Sequence, residues 1–281
     1  MTARAWDLLK RTGRAFYDDQ MTHHAAALTY YGLMSLFPAA LLAISLLGLL
    51  GQYPSTYNSL VSYLHDVVPN DTLHVIDHSL REAIKHKSNA ATGVTVGLVT
   101  ALYGTTGVLE AARRALNVAF AVESGRSFLH RKLRDIASSF ILLGLVLVTL
   151  ILVFVGGRLA DHLFGENGAH AWNIARWPAA VVIAMVAFAY VYSVTPDLGR
   201  PHFRGMLPGA AVAVIGWIAI SFGFSRYLSH SKNFNAIYGA FAGAIALVVW
   251  VWLSNVAMLF GAELNARLQG RGRGRGAQNL L

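Results

Sequence analysis

The sequence contains no cysteine. Disulfides, thiolate nucleophiles and thiolate-bound metals are therefore excluded, and the compartment is left open. Charge is scarce too: Asp, Glu, Lys and Arg make up 13% of the 281 residues. None occurs from Gln20 to His65, and five further uncharged windows follow: Ser88–Leu109, Ile136–Gly157, Trp177–Pro196, Gly205–Ser225 and Asn233–Ala262. A helix of about 20 residues crosses a hydrocarbon core of about 30 Å. A water-soluble domain needs no such window, so six of them indicate a polytopic membrane protein. The apolar runs are continuous and lack the alternation of a transmembrane barrel. Backbone groups in lipid must be satisfied within the chain, so the windows are read as helices. The motifs of soluble enzymes are also missing. There is no phosphate-cradling glycine loop, no Gly-x-Ser-x-Gly elbow and no dense His/Asp cluster of the kind a metallo-hydrolase needs. The sequence implies no catalytic residue and no cofactor.

What is present agrees with this class. Hydrophobic residues make up 55% and the mean hydropathy is +0.48. The expected architecture is all-α: a helical bundle with transmembrane spans at about 24–51, 89–110, 136–157, 174–195, 206–228 and 236–264. Residues 1–23 form a cytoplasmic interfacial segment, and residues 267–281 a basic Gly/Arg tail. The first apolar run is too long for the core of a signal peptide and contains no small-residue cleavage site, so it is read as a retained span.

The net charge of +9 is unevenly placed. With six spans, the N-terminus, the second and fourth loops and the C-terminus share one side. That side carries 16 Lys and Arg against eight Asp and Glu, and the other carries seven against six. Positive charge marks the cytoplasmic side, which gives an N-in/C-in topology. It also suits contact with anionic inner-leaflet lipid. The Gly/Arg tail lacks the interleaved aromatics of an RNA-binding repeat, so nucleic acid is not an expected partner.

Local patterns refine the map. Trp6, Leu9, Gly13 and Phe16 share a helical face, with Lys10, Arg11 and Arg14 off it, as in a helix lying on a membrane surface. In the outer loop, residues 52–88, Leu60, Val61 and Leu64 recur at helical spacing, as do Leu73, Ile76, Leu80 and Ile84. Two short amphipathic helices are expected there, separated by Pro69-Asn70-Asp71. Pro38 cannot donate to the Met34 carbonyl, so span one is expected to kink or break. Gly93/Gly97 and Gly239/Gly243 have the spacing that lets helices approach closely.

Candidate sites follow from polar residues at membrane depth. Tyr30, Tyr31, Ser35, Pro38, Tyr103, Thr106 and Tyr238 are candidates to line a polar cavity between spans one, two and six. Helix-to-helix hydrogen bonding is the competing role. Glu110 precedes Arg114 by four residues, and Glu263 precedes Arg267 by four, the favourable order for ion pairs at helix ends. Arg158, after Gly156-Gly157, either snorkels to the interface or contacts an anionic group. His74 and His78 have ligand spacing but lack a third partner, so no metal site is expected.

Several segments together resemble the YihY/BrkB family of bacterial inner-membrane proteins. They are His24-Ala-Ala-Ala-Leu-Thr-Tyr-Tyr through Ser35-Leu-Phe-Pro38; Ala115-Leu-Asn117; Pro196 and Pro208-Gly209; and Asn235-Ala-Ile-Tyr-Gly239 through Gly261-Ala-Glu-Leu-Asn265. The resemblance spans about residues 14–268 and leaves out the Gly/Arg tail. It implies a multi-pass inner-membrane protein linked to envelope integrity or resistance, with export of a lipid or small solute as the suggested role. The family's old label of ribonuclease BN is considered a misassignment, and this sequence offers no phosphodiesterase site. A transporter, a non-transporting scaffold or assembly factor, and an intramembrane enzyme remain distinct readings. The last lacks a catalytic constellation. An oligomer is compatible with all three.

Overall fold

The computed structural model describes residues 2–49, 106–122, 128–150, 156–198, 203–230 and 241–270. Among these residues the chain is helical throughout and contains no strand. Helix α1 is Thr2–Asp18 and α2 is Met21–Leu49. Residues 106–119 form α3. Helices α4 to α7 are Phe128–Leu150, Gly156–Val194, Phe203–His230 and Ala242–Leu268. Three segments are long and apolar enough to cross a membrane: Ile174–Val194 within α5, then α6 and α7. They overlap the windows read as spans four to six. The outer loop and most of the second window lie outside the described residues.

Two compact units make up the chain. The first comprises residues 1–27, 109–220 and 253–281, and the second residues 28–108 and 221–252. In the first unit small residues are prominent in the core: Ala115, Ala119, Ala189, Ala210, Ala213, Ala262 and Ala266 are fully buried, beside larger side chains such as Leu116, Phe120, Tyr192, Met206 and Leu259. Other large apolar side chains point outward, among them Phe140, Ile141, Val182, Ile215 and Ile218. Without a hydrophobic force between helices in lipid, association relies on close backbone approach, which small residues permit.

Helix α1 buries Thr12 and Ala15 and, at its end, Asp19, while Asp7, Lys10, Arg11, Arg14 and Tyr17 stay exposed. The Thr12 hydroxyl donates to the Leu8 carbonyl at 2.9 Å, which satisfies it in the core. Trp6 and Leu9 remain open, as expected for a surface helix, but Phe16 turns inward and lies 6.0 Å from the Phe260 ring. After α1 the chain turns through Asp19 and Gln20, whose φ of 53° is left-handed, and α2 starts at once.

Helix α3 ends similarly. The Val122 N–H donates to the Asn117 carbonyl at 2.9 Å and the Ala121 N–H to the Val118 carbonyl at 3.1 Å. This is the Schellman pattern, with Ala121 at the left-handed position, φ 50°. A β-carbon is strained there. Ala121→Gly is expected to stabilise the protein by about 0.5–1 kcal/mol, after the entropy glycine adds to the unfolded chain. Thermal unfolding of the purified protein measures it, and an unchanged or lower midpoint would contradict the assignment.

Three features differ from the sequence reading. Helix α2 continues through Pro38 to Leu49, so of the expected kink or break the break is absent. In an apolar medium no water competes for the remaining backbone bonds, and a proline is tolerated. The stretch after Gly157, read as an outer loop, is helical and belongs to the 39-residue α5. Span five, expected from about residue 206, starts earlier: α6 begins at Phe203 and holds Pro208 inside it.

Candidate functional site

In the second unit, Tyr30 and Tyr31 stand next to each other near the start of α2. Their rings meet edge to face with centroids 5.4 Å apart. They are 59% and 43% exposed, which sets two polar-tipped aromatics on the surface of an otherwise apolar helix. Gly107 of α3 faces the Tyr31 ring so closely that a β-carbon there would lie 3.1 Å from Cδ1. Thr106 beside it is buried. The Ser35 hydroxyl donates to the Gly32 carbonyl at 2.8 Å, not to the Met34 carbonyl that Pro38 deprives of a donor. The structure thus places Tyr31 against residue 107 and keeps Ser35 one turn away on the same helix. Tyr103 and Tyr238 lie outside the described residues, as do His74 and His78. Pro38 lies in the helical backbone of α2, and Arg158 in that of α5. Elsewhere in this unit the Trp250 indole donates to Ser221 at 3.1 Å, tying α7 to α6.

The first unit carries the buried charge. Arg113 is almost fully enclosed, and its guanidinium forks between two helices. Nη1 donates to Glu110 Oε2 at 2.6 Å, and Nη2 donates to Asp135 of α4. Arg114, exposed, reaches Glu110 Oε1 at 3.3 Å. Glu110 therefore serves two arginines, and only the outer one has the spacing that draws the eye in the sequence. Arg113 and Asp135 were not singled out by sequence reasoning. The signal was the run of alanines around Arg113, which leaves α3 almost no exposed face.

Asn117 closes the chain after α5. It accepts from the Asp197 N–H at 2.9 Å and donates to Asp197 Oδ2 at 3.3 Å. The Asn265 amide does the same for the start of α6. Its Nδ2 donates to the Met206 carbonyl and its Oδ1 accepts from the Gly209 N–H, both at 2.8 Å. One turn on, Gln269 Nε2 donates to the Gly205 carbonyl at 3.3 Å. These side chains give partners to the backbone groups flanking Pro208, where the regular ladder is weakened.

A second charged cluster joins the α1–α2 turn to α7. Arg267 Nη2 lies 3.9 Å from Glu263 Oε2 and 4.0 Å from Asp19 Oδ2. Both distances exceed hydrogen-bonding range. Glu263 is 0% exposed and neither of its oxygens has a hydrogen-bond partner. Among the described residues no group of three or more His, Cys, Asp or Glu is arranged to hold a metal ion.

Residues 12–279 match the sequence model of the family described as Virulence factor BrkB. The chain belongs to this family. Among relatives of the BrkB chain is a protein of Bacillus subtilis (strain 168) named ribonuclease-like protein YfkH. It is 29% identical over 252 residues, covering 88% of this chain and 90% of YfkH. A UPF0761 membrane protein of Pseudoalteromonas translucida (strain TAC 125) is 29% identical over 262 residues, covering 89% of this chain and 81% of its own. A UPF0761 membrane protein of Xanthomonas campestris pv. campestris (strain B100) is 28% identical over 89% of this chain, which spans 58% of that protein. No solved structure matches the chain. Taken with the three membrane-length helices, these relatives make it a membrane protein of the BrkB/UPF0761 type. The segment Gly261 to Asn265, which ends the closing pattern of the family resemblance, is buried throughout.

Proposed function

We propose that this BrkB-family protein is a multi-pass inner-membrane transporter that exports a lipid or small solute. In this reading it has six spans with both ends in the cytoplasm, and its basic cytoplasmic face meets anionic lipid. It is not an enzyme and binds no nucleic acid; the ribonuclease-like name belongs to YfkH. The supporting observation is the exposed Tyr30–Tyr31 pair beside Gly107 in the second unit. Hydroxyl groups at membrane depth are costly when they face hydrocarbon. They are retained where a polar substrate or water meets them. Arg158, on the α5 backbone, is the candidate contact for an anionic group on the same substrate. The scaffold reading needs these tyrosines only as packing.

The test is flux of fluorescent lipids and small solutes across liposomes carrying the purified protein. Tyr31→Phe and Ser35→Ala should each cut flux about 3–10-fold, the range of one neutral hydrogen bond, with folding and insertion intact. If flux occurs and neither variant changes it, these residues are packing elements. If the folded protein moves nothing, the scaffold reading stands in place of transport.

A further inference from the structure

We propose that α1 is a docking surface for anionic phospholipid. Its stripe of Trp6, Leu9, Gly13 and Tyr17 lies in the headgroup layer, and Lys10 and Arg14 along the stripe's edge meet the lipid phosphates. This deepens the proposed function, on whose basic cytoplasmic face it rests, by naming the surface and the cations that meet the lipid.

The helix divides into three arcs. Thr12 and Ala15 are buried, and the Phe16 ring lies 6.0 Å from that of Phe260 in α7, which fixes one side of α1 on the protein. A second arc is polar: Asp7, Arg11 and Asp18 are exposed, and Arg11 Nη2 lies 2.7 Å from Asp7 Oδ2. The third arc separates Phe16 from the polar one. At 3.6 residues per turn, Leu9, Gly13, Trp6 and Tyr17 fall within about 80°, and Lys10 and Arg14 within about the next 60°. Periodicity in the sequence favours Phe16 for this stripe, and the structure exchanges it for Tyr17. Trp6 is 61% exposed and Tyr17 82%, on a helix whose other side is docked. Such side chains join an apolar body to a polar tip, which suits the headgroup layer. Between Leu9 and Tyr17 the stripe is open, since a β-carbon at Gly13 would meet nothing within 4 Å.

Charge and connection favour lipid as the occupant. Lys10 Nζ sits 5.2 Å from the Trp6 ring centroid, so its charge lies beside the aromatic stripe. Arg14, one turn on, is exposed along the same edge. Basic residues so placed are drawn to an anionic leaflet. Arg11 differs, because its guanidinium already faces Asp7. After α1 only Asp19 and Gln20 precede α2, which carries no Asp, Glu, Lys or Arg along its 29 residues. Helix α1 is thus held at the rim of an apolar helix, where a basic and aromatic face meets a bilayer surface rather than a soluble partner.

A nitroxide on Gly13→Cys gives the test, since the absence of native cysteine makes an introduced one unique. The full-length protein is placed in nanodiscs of phosphatidylcholine with increasing phosphatidylglycerol. The label is expected to collide with dissolved oxygen more than with a water-soluble nickel chelate, increasingly so as phosphatidylglycerol is added. A label on Asp18→Cys, in the polar arc, should show the reverse preference. Lys10→Gln and Arg14→Gln, each beside the Gly13→Cys label, should raise the phosphatidylglycerol fraction needed for half the change about 5-fold, and Arg11→Gln by less than about 2-fold. Should Gly13→Cys not fold, Tyr17→Cys carries the label on the same stripe. A label at residue 13 that meets the nickel chelate as freely as one at residue 18 would overturn the proposal. So would a label shielded from both reagents, which would mark a second copy of the chain or another protein on the stripe. Equal effects of Arg11→Gln and Arg14→Gln would overturn it too, by showing attraction to net charge alone. The readout is lipid contact and not flux, so this proposal and the transport reading can fail separately.

Discussion

Gly261→Ala is expected to be, with Gly209→Ala, among the most damaging single-methyl changes in the described part of the protein. A β-carbon at residue 261 would lie 2.8 Å from Ala213 Cβ and 2.9 Å from Tyr192 Oη, and would overlap the Gly209 carbonyl oxygen. None of these can step aside. Two belong to the backbone or first carbon of α6, and Tyr192 is fully buried with its hydroxyl donating to the Met258 carbonyl. Relief requires α6 and α7 to separate, which also stretches both Asn265 bonds to α6. Overpacking a core costs about 1–3 kcal/mol, and more where backbone is the obstacle. We expect the upper end or beyond, a fall of roughly 10 °C in the thermal midpoint for a chain of this size. Gly223→Ala is the control: its β-carbon meets nothing within 4 Å, and helix propensity favours alanine by about 1 kcal/mol. Equal stability of the two variants would show that the Gly209–Gly261 approach does not hold these helices together.

That close approach marks the boundary of what sequence could reveal. Uncharged windows longer than a bilayer is thick, without alternation, permit only membrane helices, and Ile174–Val194, α6 and α7 have the length and apolarity for it. The glycines that sequence spacing favoured, Gly93/Gly97 and Gly239/Gly243, lie outside the described residues or were chosen by separation within one helix. The pair that meets is Gly209 and Gly261, on different helices, where no periodicity links them. Charge behaved alike. Four-residue spacing picked out Glu110 with Arg114 and Glu263 with Arg267, and both pairs are near one another. It could not show that Arg113 reaches Asp135 on α4, or that Arg267 also approaches Asp19, because those contacts depend on how helices pack. Neither proline ends its helix: α2 runs on through Pro38 and α6 through Pro208. Of the cavity candidates, the structure brings residue 107 to Tyr31 but sets the Ser35 hydroxyl on its own backbone.

Arg113→Ala is expected to cost about 3–5 kcal/mol, because it strands a buried aspartate. Asp135 is 5% exposed and the Arg113 fork is its charged partner across the α3–α4 contact. Its hydroxyl neighbours do not replace that partner: Ser139 donates to the Asp135 main-chain carbonyl at 2.8 Å, and Ser138 accepts from Tyr190 at 3.3 Å. Arg114 cannot substitute, since it is exposed and already faces Glu110. The size of the loss does not measure the worth of the pair. Moving both charges out of water is expensive, and well-packed apolar replacements are often neutral or better. The double variant Arg113→Met with Asp135→Leu should therefore recover most of the stability lost by Arg113→Ala. Asp135→Asn should cost less than Arg113→Ala, because an amide still accepts from the guanidinium and Glu110 still balances its charge. Thermal unfolding of the four proteins in one detergent gives the comparison. If the double variant is as unstable as the single one, the ion pair supplies net stability beyond its own burial, and α3 and α4 are held by charge rather than by packing.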